Sequence, residues 1–148
     1  MAETNRKELI LALIPAGTNP RLAGVDLNAL DMTRLDMSGA NLRGAKMQGV
    51  TLREAILRGA NLSYVDLTVA QMVGLDLDSA NLTGANLLGA NMQSVRLTNA
   101  NLTGVNLSGA NLQGANMKGA QINNLRFDEK TTWPDGKRGS QSSPANYV

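Results

Sequence analysis

Aspartates are the side chains of this sequence best placed to do chemistry. Six of them precede residue 80: Asp26, Asp31, Asp36, Asp66, Asp76 and Asp78. Two carboxylates held close together can act as general acid and general base, and several that converge can bind a hard cation. The chain has no Cys and no His, which excludes thiolate catalysis, Cys/His zinc sites and Ser-His-Asp chemistry. The remaining question is whether the elements that carry the aspartates bring them together.

Those elements are set by a five-residue repeat. Residues 20–129 divide into 22 consecutive repeats whose third position is Leu fourteen times, Met six times, and then Ile122 and Phe127. The first position is Ala twelve times and the fifth is Gly twelve times. In extended backbone, residues two apart point to the same side, and glycine permits the bend that must follow. Each repeat is therefore predicted to be a short extended segment plus a corner, with its first and third residues inward.

Charge pairs predict how many corners close one coil. Residues one coil apart are stacked about 4.8 Å apart, so like charges there are unfavourable. At a separation of twenty residues there are five opposite pairs and no like pair. The pairs are Asp26/Lys46, Lys46/Asp66, Arg34/Glu54, Arg58/Asp78 and Asp76/Arg96. Four repeats per coil is the prediction, with Asn41, Asn61, Asn81, Asn101 and Gln121 in an amide ladder.

The pattern resembles the consensus A(D/N)LXX of the pentapeptide-repeat family, over 20–129 of the 148 residues. The resemblance implies an all-β solenoid, a right-handed quadrilateral β-helix with Leu and Ala inside. Twenty-two repeats would make about five and a half coils.

Both ends of such a solenoid need caps. We assign 1–19 to an N-terminal capping α-helix and turn, begun by Asn5 with Glu8 and ended by Pro15. Its apolar stripe is predicted to cover the first coil or, alternatively, to bind a partner; it consists of Leu9, Ile10, Leu13 and Ile14. At the other end, 130–148 is expected to form a cap segment and a loose tail over 137–148. There Phe127 and Trp133 are the capping side chains, an ending that resembles those of cyanobacterial members.

The aspartates fit this architecture as outward residues. Five occupy the second position of a repeat and Asp78 the fourth, so a convex surface gives them no cleft in which their pKa would shift. A flat ladder offers no converging oxygens for a metal, and no phosphate-binding loop is present. The six central Met residues are interpreted as core filler. We therefore predict no catalytic residue, no cofactor and no metal: the protein is not an enzyme.

Departures from the consensus suggest a different kind of site. Apolar side chains replace the usual small or polar residue at four outward positions in the middle of the rod: Tyr64, Val69, Val73 and Leu88. Such a cluster is a candidate protein-contact surface. The alternative is that these positions drift under weak constraint, since single exposed apolar residues are common.

These observations favour a non-enzymatic protein-interaction scaffold or regulator, with a protein partner that the sequence does not identify, acting as a monomer or homodimer. The alternative, which the family resemblance also implies, is a DNA-mimicking ligand of a topoisomerase such as gyrase. Mimicry needs a continuous anionic face, whereas 14 basic residues balance 12 acidic ones here. The balance also argues against nucleic-acid or membrane partners. The absence of a secretory pattern or a long apolar run predicts a cytoplasmic protein.

Overall fold

The computed structural model describes Asn5, Glu8 and residues 20–148. Its framework is a set of single parallel bridges between second-position residues, each twenty residues apart, from Arg21–Asn41 to Asn106–Arg126. This separation is the one that the charge pairs indicated. We call the twenty-residue segments levels 1 to 5, and they comprise 20–39, 40–59, 60–79, 80–99 and 100–119.

The bridges form four columns, which we call faces 1 to 4. The faces start at Arg21, Asp26, Asp31 and Asp36 respectively, and each continues through the residues twenty further on. Corners 1 to 4 are the fourth and fifth residues of the repeats on the corresponding face. Each outward residue is therefore located by a level and by a face or corner.

Apolar columns fill the interior as the repeat predicts. Every third-position residue from Leu27 to Leu112 is 0% exposed, and the first-position residues from Ala40 to Ala110 are at most 1% exposed. Small first-position residues leave room for the large central ones, so the packed interior consists almost entirely of Ala, Val, Leu and Met. The assignment of inward and outward positions is confirmed.

Each corner is a tight turn closed by a backbone hydrogen bond, and many corners add a bond to a side chain. The backbone N–H that follows the turn donates to the central carbonyl, as Ala45 does to Leu42 at 2.9 Å. The fifth residue has a positive φ in every repeat from Gly24 to Asn124, as a type II turn requires. In addition, the second-position Asn or Asp accepts a bond from the fourth-position N–H; for Asn81 and Thr83 the distance is 3.0 Å. This local bond explains why Asn and Asp recur at the second position.

The ladder changes register at the C-terminal end. Asn111 pairs with Thr132, twenty-one residues on instead of twenty, so one extra residue lies between Arg126 and Thr132. The Asp128 carboxylate closes the gap because its Oδ1 accepts bonds from the N–H groups of Gly109 at 2.9 Å and Lys130 at 2.9 Å.

Beyond this insertion the repeat resumes once more. Trp133 takes the central position after Thr132 and is 0% exposed, whereas Phe127 is 36% exposed and meets the Trp133 ring edge-on at 5.1 Å. A tight turn follows Trp133, since Gly136 N–H donates to the Trp133 carbonyl at 2.9 Å.

The prediction of a loose tail over 137–148 is wrong. Two 3₁₀ helices, Gly139–Gln141 and Pro144–Tyr147, fold it back onto the end of the ladder. Trp133 Nε1 donates to the Gly139 carbonyl at 2.8 Å, and the Tyr147 ring stacks on Trp133 at 5.8 Å. The tail is ordered because the large indole needs a second surface to cover it, and the aromatic ring of Tyr147 supplies it.

At the N-terminal end, Asn5 and Glu8 make reciprocal hydrogen bonds. Asn5 N–H donates to Glu8 Oε2 at 3.2 Å, and Glu8 N–H donates to Asn5 Oδ1 at 2.9 Å. This is the pattern of a capping box. The predicted stripe of Leu9, Ile10, Leu13 and Ile14 lies outside the described residues.

Candidate protein-contact surface

The structure brings together two of the four predicted contact residues. Val69 and Leu88 meet at corner 2, where Val69 N–H donates to the Leu88 carbonyl at 2.8 Å. Their side chains are 53% and 43% exposed. They form an apolar pair on the outside of the rod, between levels 3 and 4.

The other two residues lie at neighbouring corners. Tyr64 is at corner 1, five residues before Val69, and is 57% exposed. Val73 is at corner 3 and is half-buried. The four residues therefore occupy three successive corners of the same part of the rod, and they do not form one continuous apolar patch.

Val69 has a strained backbone. Its φ is +52°, in the left-handed region, which β-branched residues strongly disfavour. Twelve repeats use glycine at this corner position, where the same conformation has no steric cost. Valine here thus combines backbone strain with an apolar side chain that is mostly left in water.

Tyr64 is held in place by neighbours above and below it. The Arg43 guanidinium lies 4.8 Å from the centre of its ring, in cation–π contact. On the other side the ring covers Gly84, where an added Cβ would come within 2.6 Å of a ring carbon. Sequence reasoning missed Arg43 because it compared residues at equal repeat positions, and this contact joins a fourth to a fifth position.

The aspartates that could have done acid/base chemistry instead accept hydrogen bonds from neighbouring side chains and backbone groups. Hydrogen bonds from the Ser38 hydroxyl and N–H hold the pKa of Asp36 below its usual value. Burial raises the pKa of Asp66, but bonds from Thr68 and Gln48 outweigh it, so the net shift is downward. The pKa of Asp78 is lowered chiefly by the bond that the Thr98 hydroxyl donates. A general acid at neutral pH needs a raised pKa, and these three shifts go the other way.

Charged side chains pair mostly between adjacent levels. Arg34 Nε lies 3.0 Å from Glu54 Oε2, and Arg96 lies 3.7 Å from Asp76, as the separation of twenty predicts. Arg58 departs from the prediction because it contacts Asp76 at 2.5 Å rather than Asp78. All of these cations are more than half exposed, so each pair stabilises the fold little.

Asn5, Glu8 and residues 20–148 contain neither a metal-binding cluster nor a membrane-spanning helix. Within them no group of three or more acidic side chains is arranged to hold a metal ion. Within the same residues, no helix has the length and apolar character needed to cross a bilayer.

The ladder of five-residue repeats defines a class of β-solenoid, and comparison with known proteins specifies it. The family described as pentapeptide repeats matches 21–59, 60–99 and 90–128, with 8 copies. The chain belongs to the pentapeptide-repeat family. No curated protein sequence matches it significantly.

Solved structures of the same family are similar to the chain. One is HetL, a pentapeptide repeat protein involved in heterocyst differentiation regulation from the cyanobacterium Nostoc sp. strain PCC 7120, at 29% identity and a TM-score of 0.48. The match covers 80% of this chain but only 62% of HetL. Another is Rfr23 from the cyanobacterium Cyanothece 51142, at 28% identity and a TM-score of 0.43, covering 84% of this chain and 99% of Rfr23.

Proposed function

We propose that this protein is a non-enzymatic scaffold or regulator that binds a protein partner through the exposed apolar side chains at corners 1 to 3. In this proposal the rod is a right-handed quadrilateral β-helix of about five and a half coils, which holds outward side chains at fixed positions. The contact surface comprises Tyr64, Val69, Val73 and Leu88.

One observation carries the proposal: an exposed valine in a left-handed conformation at corner 2. A non-glycine residue in this region costs about 1–3 kcal/mol, and Val69 remains 53% exposed, so burial within the chain offsets little of that cost. Burial against a partner would offset it, because covering an aliphatic side chain is worth about 1.5–3 kcal/mol. The adjoining Leu88 enlarges the area that a partner could cover.

The repeat itself supplies a variant that removes the surface without harming the fold. Tyr64→Asn and Val69→Asn place at each corner a residue that tolerates positive φ, as Asn99 does at +57°. Leu88→Thr adds a hydroxyl that can donate to Asn86 Oδ1, as the Thr83 hydroxyl donates to Asn81 Oδ1 at 2.7 Å. We expect the triple variant to be at least as stable as the parent chain, and to lose its protein partner in pull-downs from lysate of the source organism.

The matched control makes equivalent changes at another corner. Ser79→Asn, Asn99→Ser and Ser38→Thr alter the same repeat positions at corner 4, away from the contact surface, and this variant should retain the partner. The proposal fails if the first variant, shown by its melting curve to be folded, captures the same protein in the same amount as the parent chain.

A further inference from the structure

We propose that Arg43, with the ring of Tyr64, forms a carboxylate-binding anchor, so that the protein partner presents an Asp or Glu side chain to corner 1 and apolar side chains to corner 2. This inference rests on the proposed function and names the chemistry of the partner.

The anchor is preorganised. The Tyr64 ring is held between the Arg43 guanidinium, 4.8 Å from its centre, and Gly84, where an added Cβ would come within 2.6 Å of a ring carbon. Arg43 Nη1 also donates to Ser63 Oγ at 3.2 Å, and Ser63 is itself buried, with its hydroxyl bound to Asn61 Oδ1 at 2.7 Å. Because both exposed side chains are already held, little conformational entropy remains to be lost on binding.

Arg43 has hydrogen-bonding capacity to spare. A guanidinium has five N–H donors in a planar fork that suits a carboxylate, and the bond to Ser63 uses one of them. The ion pairs found among the described residues involve Arg34, Arg58, Arg96 and Lys137 and leave Arg43 out. Lys46, exposed on face 2 of the same level, is bridged to Asp26 and Asp66 on the levels below and above it, so the positive charge available to a partner's carboxylate is that of Arg43.

A short partner segment can reach both corners. Tyr64 and Val69 are five residues apart, so their Cα atoms are separated by at most about 17 Å. Arg and Tyr are the residue types most enriched at the energetic centres of protein interfaces, and Val69 and Leu88 offer apolar area next to them. A nucleic-acid backbone fits less well, because its successive phosphates would approach the Asp66 carboxylate on face 2.

Peptide selection tests the inference directly. A phage-displayed library of random dodecapeptides would be selected on the immobilised full chain, and the enriched peptides synthesised and titrated. We expect the enriched sequences to combine at least one Asp or Glu with two or more aliphatic or aromatic residues. Their affinity should fall about tenfold or more for Arg43→Gln, the loss expected for a charged hydrogen-bonded pair.

Arg53→Gln is the matched control. Arg53 occupies the same repeat position at the same level but lies at corner 3, and its loss should change affinity less than twofold. Peptides that need Val69 and Leu88 but bind Arg43→Gln as tightly would overturn the anchor and leave the proposed function standing. Peptides that bind the Tyr64/Val69/Leu88 triple variant unchanged, or no enrichment at all, would contradict both. Selective binding of a single-stranded oligonucleotide at Arg43 in place of peptides would also overturn the inference.

Discussion

Levels 1 to 3 and levels 4 to 5 share one core but have different surfaces. Residues 20–79 carry seven acidic and six basic side chains, whereas 80–119 carry only Arg96 and Lys118. Yet the corner bond is the same in both: Asp36 Oδ1 accepts the Ser38 N–H at 3.0 Å, and Asn101 Oδ1 accepts the Thr103 N–H at 3.0 Å. Asparagine accepts the same corner hydrogen bond as aspartate but carries no charge. The fold therefore does not require the charges of levels 1 to 3, and they are free to serve recognition or solubility.

The largest expected effect tests whether the core really is equivalent in the two regions. Ala45→Leu at level 2 and Ala85→Leu at level 4 each enlarge a residue that is 1% exposed. Each should lower the free energy of unfolding by about 1–3 kcal/mol through overpacking, as measured by denaturant titration. Asn86→Asp, which keeps the corner acceptor, should change it by less than about 0.5 kcal/mol. If only one of the two variants lost this much stability, the cores of the two regions would not be equivalent.

The next largest effect contrasts corner 2 in the two regions. Val69→Gly relieves the strain at φ +52°, and Gly109→Val introduces it at φ +67°. We expect the first change to raise the free energy of unfolding by about 1 kcal/mol and the second to lower it by about 1–2 kcal/mol. Thermal melts of both variants decide the matter. A destabilised Val69→Gly variant would mean that the valine contributes to folding, and the argument for a contact surface would lose its main support.

Pairing between levels should also differ in its response to salt. The exposed pair Arg34–Glu54, at 3.0 Å, should show a coupling of at most about 1 kcal/mol in a double-mutant cycle, and high salt should reduce it. Asn106 Nδ2 donates to Asn86 Oδ1 at 3.3 Å, and the coupling of that amide pair should be insensitive to salt. Equal salt responses for the two pairs would contradict the distinction between the regions.

Acid should weaken levels 1 to 3 before levels 4 to 5. The pKa values of Asp36, Asp66 and Asp78 are lowered in the folded chain. A lowered pKa gives stability that is fully present above the unfolded value of about 3.9 and is lost as the pH falls through the folded value. We expect amide-exchange protection, measured relative to the intrinsic exchange rate at each pH, to fall first near these aspartates as the pH is lowered. A uniform loss of protection along the rod, including the Asn-bearing corners, would contradict this.

The last prediction is that the protein has no effect on the supercoiling activity of gyrase. Along face 2 the cation of Lys46 separates Asp26 from Asp66, and along face 4 Ile56 separates Asp36 from Asp76. Alternating charges largely cancel beyond a Debye length of about 10 Å, so the rod lacks the sustained anionic rows of a DNA mimic. We predict no inhibition of gyrase supercoiling at micromolar protein. Inhibition that disappears on mutating Asp76 and Asp78 would favour the DNA-mimic alternative instead.

The features that follow the five-residue period could be predicted from the sequence, and the features that depart from it could not. A constant repeat determines which residues point inward and which are stacked, so the interior and the separation of twenty were predictable. Trp133 was not recognised as a central residue because one inserted residue shifts the phase before it. The Arg43–Tyr64 contact depends on the reach of two long side chains, which a positional pattern does not encode. Tyr147 was assigned to a loose tail because both it and Trp133, on which its ring stacks, lie beyond the repeats that the sequence shows.

The separation of twenty residues between bridged positions determines how such a chain can change in length. Duplicating twenty residues upstream of Phe127 would lengthen the rod by one turn and return every later residue to its own face, because the bridges join residues twenty apart. Duplicating five residues would instead shift everything downstream by one face, moving Trp133 and the folded C-terminal segment to the next column of bridges. Changes of length by twenty residues therefore preserve the relative orientation of the two ends, and a change of one repeat shifts one end by one face relative to the other.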